Sequence, residues 1–235
     1  MIQFYSPDLM TTLTLGPEES VHCVRVLRKK EGDTIYVTDG EGKRYECRIT
    51  KADTRGVKLE ILSEKEVEKN WNYRLTVAVA PTKNADRMAW MVEKCTEIGV
   101  DEIIFINCRY SERKTVNLER LRRNAISAMN QSLKTRLPKI TGQVPIKEIF
   151  SLDGKKYFGY CDEHSRKKEL VKEYKGGDDV VIAIGPEGDF STEEVDALIE
   201  AGYSPVTFGD ERLRTETAAI YGAAAVHVIN DLKKE

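Results

Sequence analysis

From Arg74 to the C-terminus, short apolar runs alternate with stretches of helical periodicity, and this alternation limits the fold more than any other feature of the chain. The runs Leu75 to Ala80, Glu102 to Asn107, Tyr157 to Cys161, Val180 to Ile184 and Pro205 to Phe208 read as strands. Between and after them, Asn84 to Ile98, Leu118 to Leu133, Ser165 to Tyr174, Thr192 to Ala201 and Thr217 to Ile229 read as helices. Met88, Met91, Val92, Cys95 and Ile98 recur at helical spacing and Gly99 stops that helix. Ser191 with Glu194 forms a capping box that fixes the start of another. Strands that alternate with helices in this way give an α/β fold with a mostly parallel sheet covered on both faces.

The first 70 residues have a different texture. Thr34 to Thr38, Arg44 to Thr50 and Gly56 to Leu62 alternate apolar and polar residues between the turn signals Asp39-Gly40 and Glu41-Gly42, so they read as short antiparallel strands. A helix with Pro17 in its first turn precedes them, running through His22 to Leu27 with Gly32 beyond its end. The expectation is a small N-terminal β-barrel-like domain over residues 1–70, closed by a charged connector from Ser63 to Asn70, and a second domain over 71–235.

Two glycine-bearing turns in the last quarter carry the clearest functional signal. They are Ile184-Gly185-Pro186-Glu187-Gly188-Asp189-Phe190-Ser191 and Phe208-Gly209-Asp210-Glu211-Arg212-Leu213-Arg214-Thr215-Glu216-Thr217-Ala218. Each leaves a strand and enters a helix, where ligands of parallel α/β sheets bind. Glycine allows close backbone approach, so two such turns side by side make a slot walled by main-chain N–H and C=O groups. No GxGxxG follows a strand and no GxxxxGK[ST] is present, which argues against dinucleotide and P-loop sites.

At these residues the chain resembles the SPOUT methyltransferases, whose parallel sheet is tied in a deep C-terminal trefoil knot. Gly185-Pro186-Glu187-Gly188 with Leu213-Arg214-Thr215-Glu216-Thr217-Ala218 is similar to the cofactor signature of that superfamily. Lys83-Asn84-Ala85-Asp86-Arg87-Met88-Ala89-Trp90, Glu93-Lys94-Cys95-Thr96-Glu97-Ile98-Gly99-Val100, Asn130-Gln131-Ser132, Leu137-Pro138, His22 and Val26-Leu27-Arg28 resemble one branch, the ribosomal RNA small subunit methyltransferase E family. The resemblance implies a PUA-like, RNA-binding first domain and a homodimer. It also implies S-adenosyl-L-methionine as cofactor, held by Ile184, Gly185, Pro186, Glu187, Gly188, Phe208, Gly209, Leu213, Arg214, Thr215 and Thr217. The implied reaction is methylation of N3 of one uridine in 16S ribosomal RNA of the small subunit. Five positions depart from the family pattern: Asp189 stands for a second glycine, Phe208 for a leucine, Arg212 for an aliphatic residue, Asn130 for a glutamate and Lys134 for an arginine.

Arg87 is the first candidate for stabilising a uridine anion, with Lys83 beside it; both sit near the start of the helix after the first parallel strand. Surface charge at a helix start is the ordinary alternative. Glu97 and Gln131 are candidates for binding the base, or braces between helices. The formal net charge is only −2, yet from Arg109 to Lys139 nine Lys/Arg face two Glu. Arg113, Lys114, Arg122, Arg123, Lys134 and Arg136 there, with Arg25, Arg28 and Lys29 in the first domain, are the candidates for contacting RNA phosphates.

Cys23, Cys47, Cys95, Cys108 and Cys161 form no CxxC pair, and His22, His164 and His227 share no metal-ligand spacing, so neither a disulfide framework nor a metal is expected. Met1 to Met10 has no signal-peptide pattern and the longest apolar stretch, Ala218 to Ile229, is too short to span a bilayer, which gives a cytoplasmic protein without a membrane partner. Two other functions fit the same motifs: a related enzyme methylating a ribose 2′-hydroxyl in tRNA or rRNA, and a non-catalytic RNA-binding ribosome assembly factor.

Overall fold

The structure, a computed structural model, describes residues 2–160 and 168–234. Packing divides the chain into two units, Met1–Asn70 with Ile126–Leu137, and Trp71–Ala125 with Pro138–Glu235. Residues 126–137, continuous in sequence with the second domain, thus belong to the first unit.

The first unit holds β1 (Gln3–Tyr5), α1 (Leu9–Thr12), α2 (Pro17–Val21), a π-helical turn over His22–Val26, β2 (Thr34–Thr38), β3 (Lys43–Lys51) and β4 (Lys58–Glu66). The strands make one sheet in the order β1-β2-β3-β4, with β1 parallel to β2 and the remaining pairs antiparallel. Period-two alternation turns Ile35, Val37, Tyr45, Cys47, Ile49 and Leu59 to one buried face, where they meet Phe4, Leu9 and Leu15. β1 has three residues, too short to show a period. Ser63 to Glu66, expected as connector, continue β4 and pair with Lys43 to Glu46. Strand β4 is the sheet edge, and charge along an exposed edge discourages pairing with other chains.

The second unit runs β5 (Leu75–Val79), α3 (Ala85–Ile98), β6 (Glu102–Asn107), α4 (Leu118–Gln131, whose last residues belong to the first unit), β7 (Lys139–Pro145), a 3₁₀ turn (Ile146–Ile149), β8 (Lys155–Gly159), β9 (Lys168–Glu169), α5 (Leu170–Glu173), β10 (Val180–Ile184), α6 (Thr192–Glu200), β11 (Ser204–Thr207) and α7 (Thr215–Asp231). Its seven strands lie in the order β7-β6-β5-β10-β8-β11-β9, and every neighbouring pair is parallel. Leu75 to Val79 and Val180 to Ile184 are buried throughout, as central strands covered on both faces must be. Asn84 caps α3 by accepting from Asp86 N and Arg87 N, and Gly99 ends it in the left-handed region at φ 114°. A side chain at Gly99 would also strike the Trp71 ring, since a Cβ there would lie 2.4 Å from Cη2.

Helix α7 packs on α3, β5 and β10, burying Ala218, Ala219, Gly222, Ala223 and Val226. Its small side chains therefore serve the core of this unit. A Cβ at Gly222 would come 3.1 Å from Ile182 Cδ1, so the helix rests close against the sheet. Strand β7 was not expected; it carries Gly142 and Pro145 and is half-exposed, which leaves no clear pattern. The expected helix from Ser165 to Tyr174 lies partly outside the described residues, as do Cys161 and His164; its described part is the short β9 and α5. Among the described residues, no helix is long and apolar enough to cross a membrane, and no group of His, Cys, Asp or Glu could hold a metal ion. The thiols of Cys23, Cys47, Cys95 and Cys108 are buried, and burial pushes each well above the usual range.

In the first unit the Glu19 carboxyl accepts Tyr5 N–H at 3.3 Å and Asn130 Nδ2 at 2.9 Å. Burial lifts it from 4.5 to about 7. An acid whose folded pKa is raised holds its proton longer in the native state, so stability declines as pH rises through that window and is flat above it. The expected result is a pH-dependent loss between about pH 4.5 and 7. Glu19→Gln should remove about 1–3 kcal/mol of this dependence, read by chemical denaturation at pH 5 and pH 8.

Candidate functional site

The cleft lies at the carboxyl ends of three neighbouring strands. β8 ends at Gly159 and Tyr160, β10 at Ile184 and Gly185, and β11 at Thr207 and Phe208. Beyond β10 and β11 the chain makes the two glycine turns, and the start of α7 completes the wall. The cleft has a volume of about 720 Å³, within the range of small-molecule sites.

The first turn closes through a hydrogen bond from Asp189 N to Pro186 O at 2.9 Å. Asp189 takes φ 64°, in the left-handed region where glycine is favoured and aspartate is tolerated. Its own Oδ1 accepts Phe190 N–H at 2.9 Å, a local bond that holds the strained residue. This explains how aspartate is tolerated where glycine is expected. The expected capping box then starts α6: Glu194 N donates to Ser191 Oγ, and Ser191 N donates to Glu194 Oε2. In the second turn Gly209 takes φ 107°, a conformation other residues rarely adopt.

One side chain ties the turns together. Thr215 Oγ1, at the first residue of α7, donates to Gly185 O at 3.1 Å, and both groups are buried. Phe208 fills the floor. Its ring packs edge-on against Tyr221 at 6.1 Å, and a Cβ at Gly159 would fall 2.6 Å from Phe208 Cε2. Phenylalanine in place of the expected leucine is thus accommodated by a glycine on the neighbouring strand.

Of the residues expected to hold a cofactor, Ile184, Gly185, Pro186, Glu187, Phe208, Gly209, Leu213, Arg214 and Thr215 line the cleft. Gly188 and Thr217 are not among the lining residues; Gly188 packs on Tyr110, where a Cβ would approach Tyr110 Cβ to 3.1 Å. Arg87 reaches the cleft from the first turn of α3, with its Nε 3.5 Å from Glu216 Oε1. Lys83 does not line it: its ammonium pairs with Glu112 at 3.0 Å, while its backbone N–H donates to Glu187 Oε1 at 3.4 Å. Glu97 pairs with Lys94 at 2.8 Å on α3, and Gln131 is exposed at the end of α4 in the first unit. Sequence reading did not single out Gly159 and Tyr160, because β8 ends without a glycine turn motif. Asp189 and Arg212, noted only as departures, also line the cleft.

The basic candidates divide between the units. Arg25 and Arg28 are exposed and Lys29 half-buried in the first unit, where Arg28 adopts φ 53°. Arg136 is exposed and donates to Glu41 O at 2.6 Å, and burial lowers the Lys134 pKa. Lys114, Arg122 and Arg123 are exposed in the second unit, with Arg113 half-buried.

An RNA methyltransferase domain model matches residues 69–227, and an RNA methyltransferase PUA domain model matches residues 15–62. The crystal structure of a probable rRNA-methyltransferase from Porphyromonas gingivalis is 40% identical, superposes with a TM-score of 0.94, and the match covers 99% of this chain and 100% of that one. A ribosomal RNA small subunit methyltransferase E from Neisseria gonorrhoeae, crystallised with S-adenosyl methionine, is 26% identical with a TM-score of 0.87 over 98% of each chain. The enzyme of that name from Rickettsia conorii is 28% identical over 92% of this chain and 90% of its own length.

Thr215→Val keeps the shape of the side chain and removes the tie between the turns. It leaves Gly185 O without this donor and should cost about 1–3 kcal/mol of stability, measured by urea denaturation.

Proposed function

The chain belongs to the RNA methyltransferase family, and from that membership we propose that it transfers the methyl group of S-adenosyl-L-methionine to N3 of a specific uridine in 16S ribosomal RNA of the small subunit. The observation that carries this reading is the cleft itself. Two main-chain turns and the start of α7 border a cleft of about 720 Å³ at the carboxyl ends of β8, β10 and β11. Relatives named ribosomal RNA small subunit methyltransferase E match nearly the whole chain, and one was crystallised with S-adenosyl methionine.

The residues present fit such a donor. Backbone groups around Gly185 and Gly209 can bond its polar edges, and the apolar walls of Ile184, Phe208 and Leu213 can cover its rings. The donor supplies a methyl group on positively charged sulfur, which is already a good leaving group. The protein must place N3 in line with that methyl and favour the uridine anion. Placement alone can lower a barrier by about 7–11 kcal/mol. Arg87, the cationic candidate that reaches the cleft from α3, is the group assigned to stabilising the charge that develops on the uracil oxygens.

The finer parts of the reading rest on further features. β10 is inserted between β5 and β8, and β11 between β8 and β9, although both come later in the chain; this order supports a C-terminal trefoil knot. Val228 and Leu232, exposed on and just beyond α7, support a homodimer through that helix. The PUA-domain match supports RNA binding by the first unit, with Arg25, Arg28 and Lys29 at phosphates. Arg113, Lys114, Arg122, Arg123, Lys134 and Arg136 extend this role to the rest of the substrate. The expected site of action is the cytoplasm, where ribosomal subunits are assembled.

Mass spectrometry of 16S nucleosides from a strain lacking the protein should show loss of N3-methyluridine. Loss of a 2′-O-methyl nucleoside instead would assign the protein to ribose chemistry. Unchanged nucleosides, with no calorimetric binding of S-adenosylhomocysteine, would assign it to a non-catalytic role. Arg87→Ala should lower kcat by at least about 100-fold while leaving S-adenosylhomocysteine affinity nearly unchanged. Equal loss of both would contradict a role confined to the transition state.

A further inference from the structure

Glu216 occupies the second position of α7, and its side chain is only 6% exposed. Arg87 lies 3.5 Å from Oε1, a loose contact, and Oε2 has no hydrogen-bond partner among the described residues. A buried carboxylate oxygen without a donor is costly, and more so than a neutral acceptor. The helix N-terminus favours the negative charge but does not fill the open oxygen. That oxygen is buried in the unliganded side-chain position, while Glu216 and Arg87 both line the cleft, so a ligand there that carries the missing donor draws the carboxylate round to meet it.

The chemistry of the missing donor follows from the pair. A guanidinium beside a carboxylate offers N–H donors next to an acceptor. The imide edge of uracil offers the converse: an N3–H donor flanked by two carbonyl oxygens. We infer that Glu216 accepts the N3 proton of the target uridine while Arg87 donates to the adjacent carbonyl oxygen, which makes Glu216 a catalytic residue and a determinant of base identity. This rests on the N3-methylation reading above.

The step balances on these groups. The N3–H bond breaks and its proton passes to the Glu216 carboxylate. The electron pair left on N3 forms the new N–CH₃ bond as the S–CH₃ bond breaks, and that bond's pair returns to sulfur. A sulfonium and a carboxylate become a neutral thioether and a carboxylic acid, which later yields its proton to water. Cytosine has a lone pair at N3 in place of a proton, and the carboxylate repels it. The same contact therefore selects uridine.

The test uses the full chain, radiolabelled S-adenosyl-L-methionine and small ribosomal subunits from a strain lacking the protein. Glu216→Gln keeps the shape and removes the base. It is expected to lower turnover by at least about 100-fold at pH 7, in the range typical of general acid–base groups. Calorimetric affinity for S-adenosylhomocysteine should stay within about 3-fold, because the donor site is intact. The deficit should shrink by about tenfold per pH unit toward pH 9, as hydroxide takes over proton removal. Glu216→Asp retains the carboxylate and should recover part of the turnover with the pH dependence of the parent protein. Turnover retained by Glu216→Gln, or a loss that is the same at every pH and accompanied by lost S-adenosylhomocysteine binding, would overturn the assignment. A parent protein that binds the donor product yet makes no N3-methyluridine would overturn the proposed reaction as well, so the two failures are distinguishable.

Discussion

The site depends on the parallel run of β8, β10 and β11, which brings three strand ends to one edge of the sheet. Where a parallel strand stops, its last backbone groups lose their ladder partners and must be satisfied by turns, helices or a ligand. Here the two glycine turns leave β10 and β11, on either side of β8, and the bond from Thr215 Oγ1 to Gly185 O holds one against the helix that follows the other. A wall of main-chain groups results. A wall already held by hydrogen bonds before a ligand arrives loses less ordering entropy on binding.

Burial sets what surrounds that wall. Strands β5 and β10 are buried throughout because α7 covers one face and the cluster around Phe190 and Leu198 the other. Small residues on α7 let it lie close to β10, which places Thr215 and Glu216 in the wall of the cleft. Glu216 is thus an acid forced into a buried position by the packing of its own helix. Arg87, fixed by the Asn84 cap at the start of α3, is the cation that meets it. In the first unit Glu19 meets Asn130, not the glutamate expected there; the amide donates where a second carboxylate would repel.

Much of this was legible from residues alone. Short apolar runs located the central strands and helical periodicity the long helices, and Gly99 and Ser191 marked helix ends by their capping chemistry. The two turns were legible because Gly209 answers a backbone demand no other residue meets easily. What escaped notice lacked a local signal. β7 is half-exposed and interrupted by glycine, the charged end of β4 imitates a linker, and residues 126–137 join the first unit through contacts distant in sequence. The open oxygen of Glu216 could not be read from sequence either, since it follows from which partners three-dimensional packing withholds.

The most direct measurement is a crystal structure of the protein with S-adenosyl-L-methionine or S-adenosylhomocysteine. The account predicts density in the cleft between the turns at Gly185 and Gly209, with main-chain N–H and C=O groups bonded to the ligand and its sulfur facing Arg87 and Glu216. Ligand bound elsewhere in the molecule, with both turns bare, would contradict it.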